Sequence, residues 1–253
     1  MTEISLEGKI AFISGASKGI GVEIANLLAS AGADLALTAR NVEQLQKTAE
    51  AVKNEHGVEV WTKSAELADR DQVRELAGDV LKKYGRVDIL VNNAGLTFPQ
   101  TVLDVGDEEW DTTLNVNAYA PLLFTQAFAP GMIERGHGKI INVSSRAGIG
   151  ALYEHASYSA SKAAIQLLTQ TMAVEFGPRN VQANAIAPTV ILTPMAEQVW
   201  TPGERTDAKL RRIPAGHFGI PADVAQVVLF LASELSDFVN GVLIPVDGGE
   251  GAG

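Results

Sequence analysis

The feature that most constrains this chain is a short apolar run that ends in glycines. Lys9-Ile-Ala-Phe-Ile-Ser14 is nearly continuous in hydrophobicity, as expected of a strand buried on both faces of a parallel sheet. Gly15-Ala16-Ser17-Lys18-Gly19-Ile20-Gly21 follows at once and opens an apolar helix over residues 20–31 that stops at Gly32. Glycines at such a junction let the backbone turn tightly and come close to a pyrophosphate, which the free amides and positive end of the helix attract. The spacing, G-x-x-x-G-x-G, differs from the common G-x-G-x-x-G, and it is no P-loop, because Lys18 precedes Gly19 and no G-K-[ST] follows. The same residues, Gly15-Ala-Ser17-Lys-Gly19, also fit the G-x-S-x-G elbow of serine hydrolases, in the strand-turn-helix setting that motif requires. A hydrolase using Ser17 is therefore an alternative. It is weakened by the lack of an Asp and a late His at comparable strand ends.

The unit then repeats in type. Asp34-Leu-Ala-Leu-Thr38 reads as a second strand, residues 42–55 as a polar-faced helix before Gly57, and Val58-Glu-Val-Trp-Thr62 as a third strand. A helix over residues 69–84 precedes Gly85 and a fourth strand, Val87-Asp-Ile-Leu-Val91. Gly138-Lys-Ile-Ile-Asn-Val-Ser144, Asn180-Val-Gln-Ala-Asn-Ala-Ile186 and Gly241-Val-Leu-Ile-Pro-Val246 are the fifth, sixth and seventh. Long helices are expected over residues 107–128, 157–176 and 222–233. This alternation implies right-handed crossovers and a doubly wound parallel sheet with helices on both faces, an α/β Rossmann fold in a single domain spanning residues 1–253. Between residues 188 and 221 the pattern changes, and five of the ten prolines fall there, so a loop region with short helical pieces is expected over the ligand-binding edge.

The second basic residue of interest is Arg40, just past the second strand. An acid at that strand end would bind an adenosine ribose hydroxyl, whereas a basic residue accommodates a 2′-phosphate. Thr38-Ala39-Arg40 has no acid, and with Lys18 converging NADP(H) is preferred over NAD(H); Arg40 as a solvated loop charge is the bland reading. Asn92-Asn93-Ala94-Gly95 ends the fourth strand with small residues that allow a ligand close to the backbone. Asn115 and Asn117 sit inside a helix, where asparagine is not favoured, so one of them gains a functional reading.

Tyr158-Ser-Ala-Ser-Lys162, thirteen residues after Ser145, carries the chemistry. If Ser157 caps the helix, Tyr158 and Lys162 stand one turn apart on one face. An ammonium near a phenol lowers its pKa from about 10 and suits it to proton exchange. On its own the pair would more often be an exposed tyrosine beside a solvated lysine.

Composition narrows the rest. The absence of cysteine excludes thiol catalysis, thiolate metal sites and disulfides, and the four histidines match no metal spacing. A net charge of -10 disfavours nucleic acid and anionic membrane as partners. With neither a signal-like N-terminus nor a spanning apolar run, the expected location is the cytoplasm.

Ser14-Gly-Ala-Ser-Lys-Gly-Ile-Gly21, Asn92-Asn-Ala-Gly95, Asn117, Ser145 and Tyr158-x-x-x-Lys162, in that order and spacing, make the chain similar to the short-chain dehydrogenases/reductases along nearly its whole length. The resemblance implies a seven-stranded sheet, NAD(P) as hydride carrier, a homotetramer, and a catalytic tetrad of Asn117, Ser145, Tyr158 and Lys162. By position, Tyr158 exchanges the proton, Ser145 hydrogen-bonds the substrate oxygen, Lys162 tunes the phenol and reaches the nicotinamide ribose, and Asn117 holds a relay water. Cofactor contacts are carried over to Gly15, Ser17, Lys18, Gly19, Ile20, Gly21, Arg40, Glu66, Leu67, Asn93, Ala94, Gly95, Pro188, Val190, Ile191 and Thr193, besides Tyr158 and Lys162. Glu66 departs from the aspartate often found facing adenine. Pro188-Thr189-Val190 replaces the frequent Pro-Gly, and this pattern, with Arg212-Ile-Pro-Ala-Gly-His-Phe218, looks like the xylulose and carbonyl reductase branch. A small carbonyl or alcohol, of polyol or ketose type, is the expected substrate, with Arg146, Tyr153, His155, Leu192 and Trp200 as candidate pocket residues. A 3-oxoacyl thioester reductase is the alternative within the family; a non-catalytic cofactor sensor is a third reading, disfavoured by an intact tetrad.

Overall fold

The computed structural model describes residues 4–193, 196–197 and 200–252. They form a seven-stranded sheet of β1 (Ile10–Ser14), β2 (Asp34–Thr38), β3 (Val60–Thr62), β4 (Ile89–Asn92), β5 (Gly138–Val143), β6 (Val181–Pro188) and β7 (Leu243–Val246). The order is β3-β2-β1-β4-β5-β6-β7, and every neighbouring pair is parallel. Between the strands run α1 (Ile20–Ser30), α2 (Val42–His56), α3 (Arg70–Tyr84), α4 (Asp107–Leu114), α5 (Ala120–Arg135), α6 (Ala156–Phe176), α7 (Glu204–Leu210) and α8 (Pro221–Ala232). Successive strand residues point to opposite faces, and the sequence supplies apolar groups to both. Ala11 and Ile13 face a core with Ile24, Leu28 and Val228 from α1 and α8. Phe12, between them, faces the other core, with Leu76 of α3 and Phe124 and Phe128 of α5.

Because the chain winds one way from β1 to β3 and the other way from β4 to β7, the crossovers on either side of β1 and β4 diverge. They leave a crevice beyond the carboxyl ends of these two strands. Two side chains set the helices that flank it: Asn41 accepts the Gln44 amide at 2.8 Å to start α2, and Asp69 accepts those of Asp71 and Gln72 to start α3.

Three expectations are corrected. The helix over residues 107–128 is interrupted by a widened π-type turn, Asn115–Tyr119, at the two asparagines, and it continues past Phe128 to Arg135. Pro130 costs about 3 kcal/mol inside a helix. The fully buried Met132, which extends the face of Phe124 and Phe128, offsets much of that, at roughly 1.5–3 kcal/mol for such a side chain. Ser157 does not cap α6, which starts at Ala156; Ser157 is buried within the first turn and its hydroxyl donates to Thr113 Oγ1 at 3.3 Å. β3 is shorter than expected, beginning at Val60; Glu59 joins it only through its carbonyl, which accepts the Leu35 amide at 2.8 Å, while its own amide turns to the Asp34 side chain.

Candidate active site

At the crevice, the β1–α1 turn is shaped by its glycines. Gly15 and Gly19 have φ of 72° and 58°, in the left-handed region that favours glycine. A Cβ on Gly15 would lie 2.9 Å from the Ala94 backbone, and one on Gly21 would collide with the Gly15 carbonyl. Ser14 and Asn93 lock this turn to the end of β4: the Ser14 hydroxyl accepts the amides of Asn93 and Ala94 at 3.1 Å, and Asn93 Nδ2 donates to the carbonyls of Ser14 and Gly15. α1 begins at Gly19 without a side-chain cap, so its first amides point, unsatisfied by any side chain, into the space the glycines keep clear. That arrangement fits a dinucleotide pyrophosphate.

The space is a cleft of about 770 Å³. Of the residues expected at the cofactor, Gly15, Ser17, Lys18, Gly19, Ile20 and Gly21 line it from the first turn, and Arg40, Glu66 and Leu67 from the ends of β2 and β3. Asn93, Ala94, Gly95 and Thr193 close the other side. Pro188, Val190 and Ile191 are not among its walls. Ile191 is buried in the core, and the Val190 carbonyl accepts the Gly219 amide at 3.1 Å. Ala39, Asn41, Gln44, Ala65, Leu96 and Val116 also line the cleft, and sequence reasoning missed them. Most of these are direct neighbours of residues it found.

Arg40 and Glu66 face each other at the cleft mouth, 3.8 Å apart, with the Arg40 side chain 66% exposed. Such an exposed pair is weakly bound, so the guanidinium can turn to an incoming phosphate.

The candidate catalytic cluster adjoins this cleft at Gly95. A Cβ there would lie 3.2 Å from Lys162 Nζ and 3.5 Å from Asn117 Oδ1. Lys162 is 3% exposed and its Nζ donates to the Val143 carbonyl at 2.8 Å. The Ser144 hydroxyl donates to the Lys162 carbonyl at 3.0 Å, and Gln166 Nε2 donates to Ser144 Oγ at 2.8 Å and to the Ser145 carbonyl at 3.2 Å. Through these bonds the end of β5 and one face of α6 hold a single geometry. Ser144 and Gln166 were not singled out from sequence. Gln166, four residues after Lys162, was the one cue to that shared face.

Ser145 Oγ accepts the Ala147 amide at 3.1 Å and lies close enough to the Tyr158 phenol to act on its pKa. Burial pushes the Tyr158 phenol above its ordinary value, opposed by the neighbouring Ser145 hydroxyl. The expected lowering by Lys162 is absent. Its Nζ is 5.7 Å from the ring centre and committed to Val143, while burial brings the ammonium itself down to about 8.

The two asparagines separate cleanly. Asn115 accepts from the Arg70 guanidinium at 3.0 Å near the surface. Asn117 is buried; its Oδ1 accepts the Leu96 amide, and its Nδ2 donates to the Leu96 carbonyl and to Ser161 Oγ. It thereby fixes the loop that borders the cleft.

The candidate substrate residues divide. His155 stacks edge-on to Tyr158, with ring centres 6.0 Å apart, and its Nδ1 donates to the Tyr153 carbonyl. Trp200 packs on Phe218 beneath Arg205. Arg146 turns away, its Nε 3.2 Å from Asp247. The hydrolase reading finds no base for Ser17: all four histidines are engaged elsewhere, with Asn26, Lys9, the Tyr153 carbonyl and the Phe218 carbonyl.

In sequence and fold the chain is similar to known proteins. A family model described as enoyl-(acyl carrier protein) reductase matches residues 15–250. The chain is 41% identical over 247 residues to the 3-oxoacyl-[acyl-carrier-protein] reductase FabG of Thermotoga maritima, covering 96% of this chain and 98% of that one. It is 39% identical over 248 residues to the L-xylulose reductase of Bos taurus, covering 98% of each. Its fold superposes with a TM-score of 0.92 and 33% identity on a gluconate 5-dehydrogenase from Burkholderia cenocepacia in complex with NADP and tartrate, over 99% of this chain and 98% of that one.

Proposed function

Because the chain belongs to the short-chain dehydrogenase/reductase family, we propose that it interconverts a ketose or other small carbonyl compound and its secondary alcohol, using NADP(H) in preference to NAD(H). The observation that carries this reading is Ser145 and Tyr158 set beside Lys162, which itself abuts the cleft at Gly95. When bound, the nicotinamide supplies hydride to the carbonyl carbon, or takes it back from the alcohol.

The chain's own residues handle the proton. A phenol held above its ordinary pKa is protonated at neutral pH, the state that donates to a carbonyl oxygen. Ser145 Oγ accepts the Ala147 amide, leaving its proton free to meet the charge that develops on that oxygen. Lys162, near 8, keeps a proton through neutral pH and replenishes the tyrosine. Asn117 has its side chain committed to Leu96 and Ser161, so in this reading it serves the relay through its backbone in the widened turn.

Lys18 and Arg40, which line the same cleft where an acid would favour NAD, support the NADP preference. The xylulose reductase relative and the gluconate dehydrogenase neighbour favour a polyol or ketose. The Thermotoga relative favours the second reading, a 3-oxoacyl thioester. A homotetramer, taken from the family resemblance, is supported by the stripe Ala160, Ala163, Leu167 and Val174 exposed along α6. Lack of cysteine accords with a cytoplasmic setting, and among the described residues no helix is long and apolar enough to cross a membrane. A panel of ketoses, polyols, diketones and acetoacetyl thioesters, followed by nicotinamide absorbance, tests the assignment. Turnover of ketoses or polyols above thioesters is expected, and the reverse order would hand the site to the second reading.

A further inference from the structure

After β7 the chain doubles back, and this last turn touches the residue after Ser145, the end of β6 and α7. Asp247, almost fully buried, accepts the amides of Gly249 and Gly251 and holds Arg146, the residue after Ser145. Three residues on, the Glu250 side chain is only 4% exposed. Its Oε1 lies 2.6 Å from Lys209 Nζ on α7 and 3.5 Å from the Arg212 guanidinium, and its Oε2 accepts the Thr189 hydroxyl. Thr189 directly follows β6, and its amide donates to the Val246 carbonyl at 3.2 Å. The Gly248 carbonyl accepts the Ala215 amide at 3.0 Å, adding a backbone tie to the same segment.

A carboxylate at this depth stays only where donors satisfy it, and these donors come from two separate parts of the chain. Burial raises the Glu250 pKa, but the bonds from Lys209 and Thr189 and the charges of Lys209 and Arg212 more than reverse this, so it stays ionised at neutral pH. Its three partners all belong to the end of β6 or to α7 and the residues just after it, and none to the candidate tetrad. We propose that Glu250 is a positioning residue that clamps the α7 segment to the end of β6, and so governs how substrate is held while leaving the chemical step to Tyr158, Ser145 and Lys162.

The kinetic side of this proposal rests on the oxidoreductase reading; the mechanical side does not. Hydrogen exchange and steady-state kinetics are therefore measured together on the full chain, for the parent, Glu250→Ala and Glu250→Gln. In Glu250→Ala, amides of residues 204–213 should exchange about tenfold faster while those of β1 and β5 keep their rates, as expected for loss of a charged hydrogen-bond hub. KM for the best panel substrate should rise about tenfold, with kcat within roughly twofold. Glu250→Gln, which keeps acceptors without the charge, should fall between the two, and it carries the same readouts if the alanine variant does not fold. Acceleration spread evenly over the chain, or a fall in kcat at constant KM, would overturn the proposal. If the parent turns over no panel compound yet exchange still quickens only at residues 204–213, the clamp stands and the functional reading falls.

Discussion

The two halves of the ligand-binding edge are built from different materials. The nucleotide half, from Gly15 to Gly95, is shaped mainly by backbone: glycines that tolerate left-handed φ, the uncapped amides of α1, and two side chains, Ser14 and Asn93, that lock one turn to another. The proposed catalytic half, from Asn117 onward, is shaped by side chains that bridge β5, α6 and the C-terminal turn. Backbone sites tolerate few substitutions but depend on short stretches of sequence. Side-chain sites depend on distant segments arriving together, so they offer more places to tune the reaction without disturbing cofactor binding.

Removing the Tyr158 hydroxyl separates the halves most sharply. Tyr158→Phe should lower carbonyl reduction by about 10²- to 10⁴-fold. NADPH affinity, read by fluorescence titration, should change by less than about threefold, since a hydroxyl is all that is removed. Large losses of both would show that the two halves are not separable. Gly21→Ala attacks the other side: its methyl group meets the Gly15 carbonyl, and overpacking of this kind costs about 1–3 kcal/mol. Lower thermal stability and weakened NADPH binding are expected together, and unchanged values for both would contradict the close approach at that turn.

Arg40→Ala is gentler, because the side chain is exposed at the cleft mouth. NADPH affinity should drop about tenfold, roughly the value of one charge-assisted hydrogen bond, with NADH affinity nearly constant. An equal loss for both cofactors would remove the basis for an NADP preference. The smallest effect is in the pH profile. Lys162 is protonated below about 8, so kcat/KM for reduction should be flat through neutral pH and decline above it as that proton is lost. Lys162→Arg should move the decline to higher pH, and an arm that does not move would assign it to another group.

Legibility followed the same division. The strand-turn-helix unit around Gly15 could be read because its determinants, an apolar run and closely spaced glycines, are adjacent in the chain. Tyr158 and Lys162 were readable for the same reason, being one helical turn apart. Their electrostatics were not: the direction of the Tyr158 shift depends on burial and on where Lys162 Nζ is bound, and the Val143 carbonyl lies on another element. Choosing between Asn115 and Asn117 required the family resemblance, because both occupy a polar-rich stretch; only packing shows one held by Arg70 at the surface and the other buried against Leu96. The expected helix end at residue 128 fell short for a related reason. Local propensity ends the helix there, and burial of Met132 against the sheet carries it on.

By itself, then, the sequence determined the alternation of strands and helices, the glycine turn and the choice of the side chains proposed to react. Each of these follows from periodicity or from backbone freedom within a few residues. Tertiary structure alone decided which scattered polar groups meet. Glu250 finds Thr189 and Lys209 at separations of 61 and 41 positions, and Arg146 turns toward Asp247 although the sequence placed it among the candidate pocket residues. Such contacts have no local signature, because they are selected by how the sheet and its helices pack, and by the high cost of leaving a buried charge without a partner.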